Sequence, residues 1–370
     1  MPKTLILDRL EEIKRVDKSD MLSFCVEAPK HYEKASKLAD NVSIDYPKPK
    51  NLIVAGMGGS AISGELLKDW ARDQIKVPIE VCREYSLPAY ANKETLALIL
   101  SYSGETEESL SCLLDAKKRR CMIICVSSGG ALLKFAEKFD VPYLRVPSEI
   151  PPRAALPYLF MPIPIFLEKL GLVANLEGEI SEAIRVLEDV CAENSPFKPF
   201  DSNFSKNLAF NILGTIPVVY GFGIFRSVAQ RFKQQFNENS KIPSKWESFP
   251  ELNHNEVVGW EEAKEFVRHF SLIFIRSEGE TEEMRHRIEA TKELISESHI
   301  NFFEVWSRGE SKMAKMLSAI CVGDFASVYL AVLRKVDPTP VRTIALLKEK
   351  MGRSGVKQKI MRELEELSVR

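Results

Sequence analysis

Short apolar runs alternate with amphipathic segments over most of the chain. Residues 1–45 come before this alternation and place Leu7, Leu10 and Ile13 near helical spacing, which predicts helices. The strands predicted next are Leu52–Ala55, Ile79–Cys82, Leu96–Leu100, Met122–Val126 and Pro142–Val146, with helices at 60–73, 106–119 and 130–139. Such alternation is typical of a parallel sheet with helices on both faces.

A second series of strands and helices follows a break at Pro151 and Pro152. Helices are predicted at 153–170 and 178–193, followed by a linker at 194–199. The second series has predicted strands Ile216–Tyr220, Leu272–Arg276 and Phe302–Val305, helices 225–238, 281–298 and 310–334, and a last helical region from 338. Both series have a glycine-containing turn after their first strand, and we identify no closer repeat between them.

The pattern therefore predicts an α/β chain with two domains, each a mostly parallel sheet between helices in three layers. We expect a helical segment at 1–45, a first domain at 46–195, a second domain with a C-terminal helix at 196–350, and a charged tail at 351–370.

Composition narrows the class of protein. The 370 residues are 45% hydrophobic and 28% charged, and the formal net charge of −1 gives no electrostatic basis for binding nucleic acid or a membrane surface. No uninterrupted apolar stretch reaches about 18 residues, so we expect no transmembrane helix. The seven cysteines lack a C-x-x-C pair and are typical of reduced thiols in the cytoplasm.

The first candidate binding loop runs from Gly56 to Ala61 between a predicted strand and a predicted helix. Its glycines let the backbone approach a ligand, and the helix N-terminus attracts an anion. A tight turn without a ligand is one alternative. Another is a nicotinamide-cofactor site, because Gly56, Gly58 and Ala61 fit G-x-G-x-x-A and Glu80 or Glu84 follows at about 20–30 residues.

The second candidate loop, residues 101–106, carries three hydroxyls at another strand-to-helix turn, on Ser101, Ser103 and Thr106. Hydroxyl donors and a helix N-terminus suit a phosphate monoester. Thr106 can instead serve as a plain N-cap, although Ser109 stands where a capping box has an acid. A cap needs one hydroxyl and a dinucleotide site does not require this loop, so the three hydroxyls favour a sugar or other monoester phosphate.

Three side chains are candidates for proton transfer and charge stabilisation. Glu238 ends a predicted helix, where its charge opposes the helix dipole, which suits a general base. His254 lies in a polar loop and exchanges protons readily at neutral pH. Arg153 begins a predicted helix, where a guanidinium can face an anionic intermediate. Taken singly, each is equally compatible with a surface or locally bonded side chain.

Together these segments resemble a known family. GMGGSAISG at 56–64, followed by SYSGETEES at 101–109, resembles a sugar-isomerase (SIS) domain. The segments around Glu238 and His254, and PPRAALPY at 151–158, resemble the bifunctional phosphoglucose/phosphomannose isomerases within the SIS proteins. The resemblance runs from about residue 45 to residue 350 and leaves the tail outside it.

The resemblance implies roles for individual residues. It assigns the substrate phosphate to Ser101, Ser103 and Thr106, with Gly59 and Ser60 lining the same site. It makes Glu238 the base that moves the C1–C2 proton, His254 the group that opens the sugar ring and Arg153 the group that stabilises the enediolate. It also places a lysine of the last helix in the site, either Lys348 or, less closely matched, Lys350.

The resemblance further implies a metal-independent isomerase of hexose 6-phosphates that works as a homodimer, often with the histidine supplied by the partner subunit. No cofactor is expected, and neither H-x-H nor H-E-x-x-H occurs. Three alternatives stay open at this point. They are a non-catalytic SIS sensor of sugar phosphates, an SIS isomerase of another sugar phosphate, and a nicotinamide-dependent oxidoreductase.

Overall fold

The structure, a computed structural model, describes residues 4–263, 265–297 and 300–369. The chain forms two compact units, each built on one parallel sheet. The sheet A unit holds residues 30–176 and 341–369, and the sheet B unit holds the described residues of 1–29 and 177–340. The predicted α/β class with two parallel sheets is confirmed.

The N-terminal segment is helical, as predicted, over the part that the structure describes; Met1, Pro2 and Lys3 lie outside it. The helices are α1 (Thr4–Leu7), α2 (Leu10–Val16), α3 (Met21–Val26) and α4 (Ala28–Asp40). The buried carboxylate of Asp17 accepts hydrogen bonds of 2.8 Å from the backbone N–H groups of Met21 and Leu22. It thereby satisfies two donors of the first turn of α3.

Sheet A has five parallel strands in the order β2-β1-β3-β4-β5. The strands are β1 (Asn51–Ala55), β2 (Ile79–Cys82), β3 (Thr95–Leu100), β4 (Met122–Ser127) and β5 (Tyr143–Arg145), joined by α5 (Gly59–Ala71), α6 (Glu107–Lys118) and α7 (Gly130–Lys138). Every residue of β3 and β4 is buried. The strand order reverses direction between β1 and β3, so their carboxyl ends border the crevice where α/β sheets bind ligands.

The helical region after β5 departs from the prediction. In place of one helix at 153–170 the chain forms α8 (Leu156–Phe160) and α9 (Pro162–Lys169), followed by α10 (Leu176–Asn194). Pro162 has no N–H to donate to a preceding helical turn, so a new helix starts there. Arg153 lies in the turn that precedes α8 and does not begin a helix, so the prediction that a helix starts at 153 was wrong.

Sheet B has four parallel strands in the order β7-β6-β8-β9. Its elements are α11 (Phe204–Asn211), β6 (Ile216–Phe222), α12 (Arg226–Glu238), β7 (Lys245–Phe249), β8 (Phe270–Arg276), α13 (Glu282–Ser296), β9 (Asn301–Trp306) and α14 (Lys312–Leu333). Strand β7 was not predicted, because this edge strand is mostly polar and only Phe249 is buried. Ser298, the end of the predicted helix 281–298, lies outside the described residues.

Helix α14 is the core helix of the sheet B unit. By length and composition it could cross a membrane, but 94% of its most apolar window is buried in the protein. Glu182 of α10 holds its N-terminus by accepting hydrogen bonds from the backbone of Glu310 and Ser311.

The C-terminal region forms α15 (Arg342–Gly352) and α16 (Val356–Ser368). Ile360 and Leu364 of α16 are buried in the core of the sheet A unit beside α6 and α7. The compact units thus divide the chain at other points than the predicted sequence domains, because the tail packs with sheet A and residues 177–195 pack with sheet B. All seven cysteines are free thiols.

Candidate active site

Close backbone packing places residues 56–61, the glycine loop, against the end of β3. A Cβ atom on Gly56 would lie 3.0 Å from the carbonyl oxygen of Leu100 and 2.8 Å from Cβ of Ser60. Gly58 has φ of +50°, a conformation that side chains rarely adopt. The loop therefore requires glycine, and it places Ser60 beside the strand end from which Ser101 continues.

Residues 101–106, the hydroxyl loop, lead into α6 without a side-chain cap from Thr106. Thr106 occupies the N-cap position, but its side chain makes no capping hydrogen bond. Its Oγ1 instead accepts a 2.9 Å hydrogen bond from Ser101, which is 1% exposed. Ser103 is exposed, and its Oγ accepts from the backbone N–H of Glu105 at 3.2 Å. The plain N-cap interpretation of Thr106 thus does not describe this loop, whose hydroxyls cluster at a helix N-terminus suited to an anion.

The loop after β4 holds the hydroxyl loop in shape. Gly104 has φ of +68°, and a Cβ there would lie 1.9 Å from the carbonyl oxygen of Gly129. The carbonyl oxygen of Tyr102 accepts hydrogen bonds from the backbone N–H and the hydroxyl of Ser128, at 2.9 and 2.7 Å. Backbone and side-chain contacts thus fix the loop before any ligand binds.

Tyr102 also ties the hydroxyl loop to the segment that carries Arg153. Its hydroxyl donates to the carbonyl oxygen of Pro147 and accepts from the backbone N–H of Ile150, each at 2.9 Å. Burial raises the pKa of Tyr102, so the phenol stays protonated and can donate. Sequence analysis did not single out this tyrosine, because an aromatic in a loop carries no signal of the carbonyl that it reaches.

Arg153 adjoins the glycine loop. A Cβ on Gly59 would lie 3.1 Å from the carbonyl oxygen of Pro152 and 3.9 Å from Cα of Arg153, whose side chain is buried. The structure thus brings six predicted site residues to the carboxyl edge of sheet A. They are Gly59, Ser60, Ser101, Ser103, Thr106 and Arg153.

Glu238 is the last residue of α12, half-buried, in the sheet B unit. Side chains spaced four residues apart join this helix to α14: Arg231 and Gln235 bond Asp324 at 3.0 and 2.8 Å, and Asn239 bonds Ser327 at 2.8 Å. Spacing of four residues puts these side chains on one face of the helix.

The turn after Glu238 is also held in place. The ammonium of Lys241 donates to the backbone carbonyl of Glu238, and to that of Pro338 at 2.8 Å. A cation that satisfies a terminal carbonyl is favourable at this end of a helix. The carboxylate of Glu238 is therefore presented from a well-anchored helix end, as the hypothesis of a general base requires.

His254 ends the short 3₁₀ helix that follows β7, also in the sheet B unit. Its side chain is exposed and has no hydrogen-bond partner among the described residues. The backbone around it is held by Asn253, whose side chain donates to Thr291 at 2.7 Å, and by Asn255, whose side chain donates to Glu251 at 2.9 Å. The imidazole is thus presented outward from a fixed loop.

The helix of the candidate lysine, α15, has no buried residue. Lys348 and Lys350 are both exposed, so the choice between them stays a prediction. Over the part of the chain that the structure describes, no three histidine, cysteine, aspartate or glutamate side chains are grouped so that they could hold a metal ion.

One repeat escaped the sequence analysis. Gly-Glu-Thr-Glu-Glu occurs at 104–108 and again at 279–283, each time between a central strand of a parallel sheet and the helix that follows it. The expectation that the two series share no closer repeat was wrong. The signal was available in the sequence as an identical pentapeptide.

Comparison with known proteins extends these observations. Residues 201–351 match the model of the bacterial phospho-glucose isomerase C-terminal SIS domain. The chain is 38% identical to a bifunctional phosphoglucose/phosphomannose isomerase of Caldicellulosiruptor bescii, over 88% of this chain and 96% of the relative. It is 30% identical to the protein of the same description from Aquifex aeolicus, over 84% and 93%.

Solved structures share the fold. The crystal structure of a hypothetical protein from Thermus thermophilus superposes with a TM-score of 0.71, covering 93% of this chain and 94% of that one at 15% identity. At this identity the likeness concerns the architecture alone.

Proposed function

The chain belongs to the bifunctional phosphoglucose/phosphomannose isomerase family, and from that premise we propose that it interconverts glucose 6-phosphate and mannose 6-phosphate with fructose 6-phosphate. The observation that carries the proposal is the 38% identity over nearly the full length of a relative so named. The uncapped, hydroxyl-rich start of α6 supports it, because it offers a phosphate site where this family needs one.

The phosphate group would bind at the carboxyl edge of sheet A. Ser101, Ser103 and Thr106 would hydrogen-bond its oxygens, and the backbone at Gly59 and Ser60 would close the other side. The dipole of α6 favours the dianion. Because the loop is already held by the loop that follows β4, binding would need little ordering of the protein.

Glu238 would move the proton between C1 and C2. After ring opening, for which His254 is the proposed group, the carboxylate takes the C2 proton of the aldose and a cis-enediolate forms. The same carboxyl returns the proton to C1 while a proton passes from the oxygen on C2 to the oxygen on C1, giving the ketose. Arg153 would stabilise the negative oxygen of the intermediate, assisted by a lysine of α15, with Lys348 the better candidate.

One base can serve both aldoses. Glucose 6-phosphate and mannose 6-phosphate differ only in configuration at C2, and removal of the C2 proton from either gives the same enediolate. Dual specificity therefore requires a site that accepts both epimers, but it does not require a second set of catalytic groups. No redox cofactor or metal enters this scheme, since the hydrogen returns to the substrate.

We place the enzyme in the cytoplasm as a homodimer. The outward-facing imidazole of His254, without a partner in the described residues of its own chain, supports a role in the neighbouring subunit's site. A sedimentation experiment that found only monomers at full activity would contradict this assignment.

The decisive test is turnover of fructose 6-phosphate in D₂O with EDTA present. We expect glucose 6-phosphate and mannose 6-phosphate, both with deuterium at C2. If glucose 6-phosphate forms without mannose 6-phosphate, the enediolate mechanism stands and the specificity is limited to one aldose. Binding of fructose 6-phosphate without product or proton exchange would contradict the proposal that the protein is an isomerase. It would favour a non-catalytic sensor of sugar phosphates.

A substitution tests the base itself. We expect Glu238→Gln to lower kcat by about 100- to 10,000-fold, the range for general acid–base catalysis, with an unchanged melting temperature. Glu261→Gln, at an exposed acid of the same unit, is the matched control and should retain normal turnover. Normal turnover by Glu238→Gln would remove Glu238 from the mechanism.

A further inference from the structure

Helix α16 lies in the chain's tail, beyond residue 351 where the matching family model ends, and it is built into the sheet A unit. Its Ile360 and Leu364 are buried in the hydrophobic core with residues of α6 and α7. Ion pairs flank this apolar contact, with Glu363 accepting from Lys118 and Glu365 from Lys134, each at 2.6 Å. Apolar burial holds the helix in place, because exposed ion pairs of this kind contribute little to stability.

The N-terminal turn of α16 contacts the proposed phosphate loop through Glu105. One carboxylate oxygen of Glu105 accepts from the backbone N–H of Ala131, at the start of α7, at 2.8 Å. The other accepts from the ammonium of Lys357 at 2.6 Å. A single carboxylate thus joins the loop to two helices.

Glu105 poses an electrostatic problem for an anion site. It lies in sequence between Ser103 and Thr106, two of the residues proposed to bind the phosphate. Like charges in close proximity repel, and the dianion would therefore bind less tightly to a loop with an unpaired carboxylate. The ammonium of Lys357 offsets this charge, while the bond to Ala131 keeps Glu105 turned toward α7.

We propose that Lys357 is a positioning residue for phosphate binding, which acts through Glu105 and is delivered by α16. It neutralises Glu105 and fixes the loop conformation without touching the substrate. The proposal rests on the proposed function, in that residues 101–106 bind the substrate phosphate. Helix α16 then has a specific task, to lower the KM for hexose 6-phosphates.

The test compares Lys357→Met with Lys118→Met, which removes another ion pair between α16 and the same unit. We expect Lys357→Met to raise the KM for fructose 6-phosphate and the dissociation constant of inorganic phosphate by about two- to fivefold, the scale of an exposed charge interaction. The kcat should not change, and the effect should shrink at high salt. Lys118→Met should leave all three quantities at wild-type values.

Two further variants show whether Lys357 acts through Glu105. Lys357→Arg should restore the wild-type KM. In the Lys357→Met background, Glu105→Gln should bring the KM back toward the wild-type value, because the amide keeps the acceptor for Ala131 and loses the charge. If Lys357→Met behaves like Lys118→Met, or if Glu105→Gln gives no recovery, the proposal is overturned.

Failure of the underlying phosphate site would look different. Ser101→Ala would then leave the dissociation constant of inorganic phosphate unchanged, whatever Lys357→Met does. Melting temperatures of all variants separate a loss of folding from a loss of phosphate affinity.

Discussion

The same five residues, Gly-Glu-Thr-Glu-Glu, follow β3 in sheet A and β8 in sheet B, but the two loops are satisfied in different ways. Both strands lie beside the first strand of their sheet, in the orders β2-β1-β3-β4-β5 and β7-β6-β8-β9. In sheet B, Thr281 caps its own helix by accepting from the backbone N–H of Met284 at 3.3 Å. In sheet A, Thr106 makes no such bond and pairs with Ser101.

The residues ahead of the pentapeptide explain the difference. Counted from the shared glycine, Arg276 stands where the other loop has Ser101, and Glu278 where it has Ser103. Arg276 is 2% exposed and bonds Glu280 at 2.5 Å and Glu289 at 2.7 Å, with a third bond to Glu304. Arg276 and the acids around it are therefore paired within the sheet B unit, whereas the sheet A loop holds the hydroxyls that we propose for the substrate phosphate. On this proposal, the same turn sequence contributes to stability in one unit and to substrate binding in the other.

The largest expected effect concerns the buried arginine. We expect Arg276→Met to lower the free energy of unfolding by about 3 to 5 kcal/mol, because it leaves Glu280 buried without its partner. The KM for fructose 6-phosphate should not change in protein that remains folded. Urea unfolding and steady-state kinetics measure the two quantities.

A second substitution checks the cause of that loss. Glu280→Gln added to Arg276→Met should recover part of the stability, since it removes the unpaired charge. A raised KM in the folded Arg276→Met protein would show that the sheet B loop also serves substrate binding, and would end the contrast between the loops.

Much of this contrast could have been predicted from the sequence. The apolar runs predicted eight of the nine strands that the described residues form, because buried parallel strands are continuously hydrophobic. They missed β7, which has one buried residue. The hydroxyls at 101, 103 and 106 and the glycines before α5 predicted one phosphate site, and the structure brings these residues to one edge of sheet A; that they bind phosphate stays a prediction. A search for repeated pentapeptides would have paired it with the loop of sheet B.

Other features depend on tertiary contacts that leave no local pattern. Whether a threonine at an N-cap bonds its own helix or a neighbouring serine is decided by the residue five positions earlier, which is Ser101 in one loop and Arg276 in the other. Lys357 lies 252 residues from Glu105, so its spacing carries no signal. The phenol of Tyr102 reaches Pro147 in the same way, across the fold.

The next effect is a crossed pair of threonine substitutions. Thr106→Val should lower kcat/KM for fructose 6-phosphate by about 10- to 100-fold, because a hydrogen bond to a charged group contributes about 1.5 to 3 kcal/mol. Thr281→Val should leave kcat/KM unchanged and lower stability by about 0.5 to 2 kcal/mol, the effect of losing an N-cap.

Each variant is the other's control, measured by the same kinetics and urea unfolding. If the two variants lose the same free energy of unfolding and have the same kcat/KM, the two loops have the same role and the contrast between them is wrong. A kinetic loss confined to Thr281→Val would reverse the assignment of the phosphate loop.

The smallest expected effect is a pH dependence of stability, which distinguishes the ion pairs around Arg276 in the sheet B unit from the hydroxyl loop of sheet A. Burial raises the pKa of Glu289, but hydrogen bonds from Lys292 and Arg276 outweigh it and hold the pKa below its ordinary value of 4.5. A carboxyl with a lowered pKa in the folded state stabilises the protein above the unfolded-state pKa and loses that contribution as pH falls through the folded-state pKa. Since Glu289 is half exposed, the contribution is at most about 1 kcal/mol.

The stability of a Glu289→Gln variant should therefore depend on pH differently from that of the wild type. We expect the variant to be less stable at pH 7 in urea unfolding, and the difference in stability to disappear as the pH falls below the ordinary carboxyl pKa of 4.5 and through the lowered pKa of Glu289 in the folded state. Ser103→Ala, which changes an uncharged side chain of the hydroxyl loop, should differ in stability from the wild type by the same amount at every pH. A gap for Glu289→Gln that is equally constant would mean that the ion pairs around Arg276 do not stabilise the sheet B loop.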